Sequence, residues 1–577
     1  MKIIRVDMSK LTIKEEELPE KYLKFGGRVL SSNILYDEVD PACNPLGADN
    51  KLIFANGLLA GSGFPNSSRL SVGAKSPLTN GIKESNVGGL FAYRMIQYGI
   101  RAIIIEGKPS TDDIYIVRID KNGYNIEIFN ELKGLGNYKT VDKLKDKYGP
   151  KIATTSIGIA GEMQLKAASI AVSNLFFLPD RYAGRGGLGA VMGSKQVKAI
   201  VLGYNSDPIK LKFSDKTKFK QIIQPFINQL IETKQGMTKY GTSGMTEFAN
   251  TVGALPTKNY KYGSFDGVDG ITHHKLHELL LKRGGRHGIP CSPFCVIRCS
   301  NIFLDKNGNR LTKVEYETIA MNGSNLGISD LDAIARINYL YNDLGLDTIE
   351  CGDSFAVAME GGLLDFGDAD GVIKILEGLY EMPSPEEESW SRIIANGCVE
   401  TGKKLNVKRI PAVKGQGMPA YDPRVFKAMG VTFATSPMGA DHTAGPAIAG
   451  RRGMDRNKDY GSLSEAEYKT ELSHDLQLMS LLCDCMGCCF FIGPSIDTME
   501  IFAESLNALY GWNISVNDLI DIAKNTIKRE LIFNKNANVD QQNVLPDFFY
   551  HEKLPPTNNV FDIDKEKTQH LWDYLLP

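Results

Sequence analysis

Two tight runs of cysteine constrain this chain more than any other feature. Cys291, Cys295 and Cys299 form one run, and Cys483, Cys485, Cys488 and Cys489 the other; only Cys43, Cys351 and Cys398 stand apart. Packing alone does not call for such clustering, and clustered thiols in a reducing compartment read as metal ligands rather than disulfides. Three thiols close together and one distant is a common ligand set of a [4Fe–4S] cluster. Structural zinc also takes four cysteines, usually as two close pairs, so the three-plus-one division favours the cluster. Spacing alone does not choose the fourth ligand among Cys483, Cys485, Cys488 and Cys489.

The rest of the chain is that of a globular protein. Its 577 residues suffice for two to four domains with buried cores. A formal net charge of -2 argues against nucleic acid or an anionic membrane as the main partner. No apolar run approaches the roughly 20 residues that span a bilayer. The N-terminus turns polar after four residues, so no secretory signal is read and a cytoplasmic location is expected.

Short β-branched runs at 3–6, 51–54, 102–105, 114–117 and 199–202 read as strands, with Gly-rich connections between them. From about residue 215 the period becomes helical, as in 219–233, 275–284, 331–345, 371–380, 505–512 and 516–531. The expected class is therefore α+β. A β-rich N-terminal domain (1–205) precedes two mainly helical domains (206–412 and 413–577), with soft boundaries because no low-complexity linker is present.

Two further patterns bear on function. Gly184-Arg-Gly186-Gly-Leu-Gly189 fits the dinucleotide fingerprint G-x-G-x-x-G, but no clean strand leads into it and no acidic partner follows. Nor is 189–195 a P-loop, since Ser194 replaces the second glycine. The loop reads instead as close backbone approach to a polar, phosphorylated group flanked by Arg181 and Arg185. A short echo, [DN]-x-x-G-x-[DC], links 342–347 with 484–489, each after a helix-like run. A helix ending on glycine frees backbone groups and sets a carboxylate or amide beside them, so two such turns suit two similar polar ligands.

The motifs AGRGGLGAVMGSK (183–195) with KAIVLG, KSPLTNG, SNVGG, EYETIAMNGSNLGISDL, NDLGLDT, PAYDPR and DCMGCC together resemble, over essentially the whole chain, the aldehyde ferredoxin oxidoreductases. The resemblance implies a β-rich base below two helical domains. Between them would lie tungsten (or molybdenum) held by two pyranopterins, with magnesium bridging the pterin phosphates. It places Arg69, Asn86, Gly88 and Arg181 near the pterins and phosphates, and Asn342, Asp347 and Asp484 in the paired turns. It makes Cys291, Cys295, Cys299 and Cys489 the cluster ligands, and Glu317 and His442 an acid–base pair beside the metal. Read without the family, Glu317 is a surface or helix-start carboxylate and His442 a satisfied histidine.

The reaction implied converts an aldehyde and water to a carboxylate. Two electrons then pass singly through the cluster to ferredoxin or an iron–sulfur partner subunit. Departures from the family pattern are the three residues between Cys291 and Cys295, Asn342 in place of Asp, and Arg336 where some members carry a subunit-bridging Glu. The last leaves homo- and hetero-oligomers equally open. Rival readings are a family member acting on an aromatic acyl-coenzyme A, a zinc-binding scaffold, and a nicotinamide dehydrogenase using the 184–189 loop.

Overall fold

The β-branched runs form strands that are buried on both faces, which is why they carry no polar alternation. In the computed structural model, which describes residues 1–576, β1 (Lys2–Asp7), β2 (Thr12–Glu17), β3 (Leu52–Asn56), β4 (Leu70–Lys75), β5 (Ile82–Val87) and β6 (Ile100–Glu106) make one sheet. A second sheet contains β7 (Tyr115–Asp120), β8 (Gly123–Ile128), β9 (Ala153–Ser156), β10 (Ile170–Ser173), β11 (Pro179–Ala183) and β12 (Val197–Leu202). Alternate residues serve different cores. Leu52 and Phe54 of β3 meet Tyr115 and Val117 of β7 between the sheets. Ile53 and Ala55 face the other way, onto Leu30 and Ile34 of helix α1 (Gly27–Glu38). Each large aliphatic side chain buried this way contributes about 1.5–3 kcal/mol.

The two sheets repeat one plan. The first runs β2-β1-β6-β3-β4-β5 and the second β8-β7-β12-β9-β10-β11, with β1/β6 and β7/β12 the parallel pairs and every other pairing antiparallel. Helices also correspond: α1 and α2 (Phe91–Gln97) in the first half match α3 (Asn137–Tyr148) and α5 (Leu188–Ser194) in the second, which adds the one-turn α4 (Ile159–Glu162). The sequence reading missed this duplication. Its local trace is the segment before α1 and α3, where 18–26 and 129–136 each form a 3-10 turn and then end on a glycine.

Helices dominate beyond β12. They include α6 (Lys216–Thr233), α7 (Gln235–Tyr240), α8 (Gly244–Thr251), α9 (His273–Arg283), α10 (Tyr316–Asn322), α11 (Leu331–Leu344) and α12 (Thr348–Glu360), with the short strand β13 (Arg286–Ile289) after α9. Later come the helices Lys469–Met486, Ile496–Tyr510 and Val516–Asn536. The apolar stripes read at 219–233, 331–345 and 516–531 all face one shared core. Among the described residues, no helix is long and apolar enough to cross a membrane.

Base and helical layers meet through glycine. α11 ends at Gly345 and the helix Lys469–Met486 at Gly487, both in the left-handed region (φ 76° and 74°) that favours glycine at a helix end. The base grips both turns alike. Arg69 N donates to Gly487 O (3.0 Å) and Cys489 N to Asn66 O (3.0 Å). In the other half Ser169 N donates to Gly345 O (2.8 Å) and Asp347 N to Ala167 O (2.9 Å). A β-carbon on Gly57 would stand 2.0 Å from Gly487 N, and one on Gly158 2.3 Å from Leu344 O. Deep in the same interface, Arg28 of α1 makes a two-pronged pair with Glu530 (3.0 and 2.7 Å).

This contact predicts that Gly57→Ala lowers stability by about 1–3 kcal/mol, the usual cost of overpacking a well-filled interior. Gly236→Ala, at a helical site with open space around it, should be neutral or slightly stabilising. Thermal melts of the two variants beside the parent check the pair; equal melting temperatures would contradict it.

Candidate functional site

The two glycine-ended turns open onto one cavity of about 290 Å³ between base and helices. Of the site residues implied by the family resemblance, all but Cys295 and Asp484 line it: Arg69, Asn86, Gly88, Arg181, Cys291, Cys299, Glu317, Asn342, Asp347, His442 and Cys489. Cys295 sits directly behind, its sulfur 3.7 Å from Asn66 Nδ2 and 3.4 Å from Arg298 N. Asp484 lies in its turn with its backbone carbonyl against Gly27, where a β-carbon would come within 1.9 Å. Burial and the neighbouring Glu84 push the Asp484 carboxyl well above the usual range.

The polar groups differ in how far they are already committed. Asp347 caps α12 by accepting from Ile349 N (3.0 Å) and pairs with Arg185 Nε (3.1 Å). Asn342 Nδ2 donates to Thr312 Oγ1 (2.7 Å). Arg181 reaches Glu315 at 3.3 Å, yet its buried Nε has no partner. Arg69 is held by Asn86 alone, through that residue's side-chain and backbone oxygens, with no carboxylate bonded to it. Arg69 and Arg181 are thus the guanidinium groups with donors to spare, which suits phosphate oxygens.

The glycine loop divides in two. Gly184 and Arg185 reach the cavity, as expected of a cofactor loop. Gly186 and Gly189 are packing glycines: added β-carbons would meet Lys83 at 2.4 Å and Ser169 O at 2.4 Å. The reading of the whole loop as phosphate-cradling is corrected in this respect. Arg185 departs from it too, because its other donors go to Ala440 O (2.8 Å) and Gly417 O (2.6 Å) rather than facing a ligand.

The four thiols come together from two chain segments, 291–299 and the turn that carries Cys489. Cys291 and Cys299 line the cavity with Cys489, and a β-carbon on Gly88 would lie 3.2 Å from Cys291 Sγ. A hydrogen bond from the Cys295 thiol, with Arg181 and Arg69 behind it, holds Cys291 well below the usual thiol range. Cys485 does not line the cavity, and its backbone carbonyl is bonded by Leu58 N (2.9 Å) and packed on Gly26. The three-residue gap after Cys291 is taken up at Phe294, whose φ of 61° turns the chain back.

Glu317 lies in the first turn of α10, half-buried and turned towards the cavity rather than out to the surface. Its Oε2 accepts from Ala420 N (3.0 Å), while its Oε1 has no hydrogen-bond partner and stands 3.8 Å from His442 Nε2. His442 is not a satisfied histidine either: its Nδ1 is unpartnered, and its ring stacks on Tyr421 with centroids 6.0 Å apart. Burial raises the Glu317 pKa. Next to His442, Asp441 is held well below the usual range by Lys83 (2.6 Å) and Arg185, although burial opposes this.

Several site residues escaped the sequence reading. Lys83, Glu315 and Tyr421 sit in or beside the quoted motifs and Asp441 next to His442, but nothing in their spacing marks them. Glu350 and Asp353 lie on one face of α12, and both Asp353 oxygens are buried without partners. The acidic pair in an otherwise apolar buried helix was the available signal.

Free thiols, two guanidinium groups with spare donors and two matched turns fit an iron–sulfur cluster beside an anionic, two-part cofactor. Comparison with known proteins agrees. The family model described as "Aldehyde ferredoxin oxidoreductase, N-terminal domain" matches residues 3–204, and that for "domains 2 & 3" matches 219–574. Tungsten-containing aldehyde ferredoxin oxidoreductase of Pyrococcus horikoshii is 32% identical over 97% of this chain and 92% of its own length. An aliphatic sulfonate oxidoreductase WOR-like subunit of Pyrococcus furiosus is 28% identical over 89% and 82%. The solved BamBC active-site complex of benzoyl-coenzyme A reductase with 1,5-dienoyl-CoA shares the fold, with TM-score 0.79 at 19% identity over 100% of this chain and 93% of that one. The chain belongs to the aldehyde ferredoxin oxidoreductase family.

Proposed function

We propose that this protein is a tungsten–pterin enzyme that oxidises aldehydes to carboxylates and delivers the electrons through one [4Fe–4S] cluster. What supports the reading above all is that Glu317, His442, the cysteines and the paired turns converge on a single cavity. Molybdenum is the alternative metal, since the two share geometry and ligands.

The groups that would hold the pterins are the turns bearing Asn342, Asp347 and Asp484, with Asn86 and Gly88 beside them. Arg69 and Arg181 would take the phosphates, and magnesium between those phosphates is part of the proposal. Cys291, Cys295, Cys299 and Cys489 would hold the cluster. When bound, the pterin-held metal supplies two-electron redox chemistry, and the cluster supplies one-electron transfer to ferredoxin or an iron–sulfur partner subunit.

The chain's own residues handle the proton and the water. Glu317 Oε1, unpartnered and aimed at His442, takes a proton from the water that adds to the aldehyde carbonyl. His442 Nε2 offers the aldehyde oxygen a hydrogen bond and relays the proton onward. The backbone N–H of Ala420 fixes the Glu317 carboxylate, and Tyr421 fixes the imidazole plane. Glu317 Oε1 is itself buried, which keeps bulk water from that oxygen.

Metal analysis of anaerobically purified protein tests the proposal: about four irons per chain with tungsten or molybdenum, and a brown colour, are expected. Zinc alone in a colourless protein would overturn it. Cys489→Ser should abolish the cluster's paramagnetic resonance signal, whereas Cys485→Ser should keep it; the reverse would exchange their roles. Glu317→Gln should slow turnover by about 10²–10⁴-fold with metal intact. Because the Glu317 pKa is raised and its ionised form is the base, kcat/KM should climb with pH through a limb above the usual carboxylate value. That limb should vanish in Glu317→Gln.

A further inference from the structure

Half of the chain's eight histidines gather outside the cavity, where α8 meets the start of α9 and β13. His273 and His274 open α9, His277 follows one turn later, and His287 faces His277 from β13 with ring centroids 5.3 Å apart. Glu247 of α8 completes the group. His273 Nδ1 is 2.9 Å from Glu247 Oε2, and His274 Nε2 is 3.9 Å from the same oxygen. Tyr240 packs its ring edge-on against His273 at 4.8 Å and His277 at 5.5 Å, walling the inner side.

The contact between His273 and Glu247 has an unusual character. Both facing atoms are buried and, although they stand 2.9 Å apart, neither has a hydrogen-bond partner. An ordinary ion pair would need His273 protonated. Burial and His274 disfavour that, and burial with His277 and His273 brings His287 down to about 4. The N-terminus of α9 opposes positive charge on His273 as well. A neutral imidazole beside a carboxylate is a ready ligand, because metal ions bind the unprotonated ring.

We infer that Glu247, His273 and His274 form a binding site for a divalent transition ion of the zinc class, separate from the cavity and from the cysteines. The three ligand atoms lie within 4.8 Å of one another, so small side-chain rotations bring each to the roughly 2.0–2.2 Å that zinc requires. Two imidazoles and one carboxylate select zinc-class ions over magnesium or calcium, which prefer all-oxygen shells. The His274 side chain is 67% exposed, which leaves the fourth position to water. Such an ion ties α8 to α9, and α9 runs through β13 directly into Cys291. The site therefore anchors the strap that presents three cysteines to the cavity.

Zinc titration of untagged protein, dialysed against a mild chelator and with its iron content unchanged, tests this. One equivalent of zinc should bind the parent chain. Zinc-edge X-ray fine structure should show nitrogen and oxygen ligands and no sulfur. His274→Ala, at an exposed position that leaves folding intact, should weaken binding by more than the 10–100-fold typical of losing an outer ligand partner; Glu247→Gln should do the same. Failure of the parent to bind, sulfur ligation, or equal affinity in His274→Ala would each overturn the assignment.

Discussion

The guanidinium of Arg185 sets the geometry on which the cavity depends. It is buried, and its donors go to Asp347 at the start of α12, to Gly417 O and to Ala440 O, with Glu350 at 3.7 Å. One cation from the base thereby fixes both helical parts against it. Removing such a group from water costs several kcal/mol, and good geometry at every partner is needed to offset it. The three pieces consequently lock together or not at all. Lys83 repeats the device alongside, and since its partner Asp441 precedes His442, the imidazole's position follows from a salt bridge rooted in β5.

Duplication of the base explains why two equivalent turns exist, and divergence explains why they differ. In each, the residue two places beyond the glycine donates its N–H to the base. One copy has Cys489 there and the other Asp347; at the preceding corner one has Asp484 and the other Asn342. The same backbone device thus presents a thiol on one side and, on the other, a carboxylate for Arg185. The three-cysteine segment follows this asymmetry, packing on the first half through Asn66 and Gly88.

Local order was legible in the sequence because it depends on local pattern. The β-branched runs became strands, and the periodic stretches became helices with boundaries shifted by a few residues, except that the helix read at 505–512 already starts at Ile496. Cysteine spacing pointed to one cluster site because metal chemistry restricts ligand number. The glycine loop misled in part: close packing against Lys83 and Ser169 O demands glycine just as a phosphate does, and sequence alone does not separate the two. The duplication was hidden because it is kept in strand pairing, which many side chains satisfy. Arg185 with Gly417 and Ala440, and Lys83 with Asp441, were hidden because their partners lie 232 to 358 positions away.

The acidic side of the cavity follows from the same charge balance. Asp347, Glu350, Asp353, Asp441 and Glu317 crowd around one arginine and one lysine. Those cations cannot hold every carboxylate ionised in a buried setting, so the groups separate. Asp441, bonded to Lys83, stays ionised, whereas burial raises Glu317, Glu350 and Asp353. Carboxylates whose proton affinities are driven apart by their surroundings can divide the work of holding and releasing a proton. Glu317 is the member of the raised set that also faces His442 across the cavity with a free oxygen. Its proposed role as a base therefore rests less on its own motif than on Arg185 and Lys83 being already engaged elsewhere.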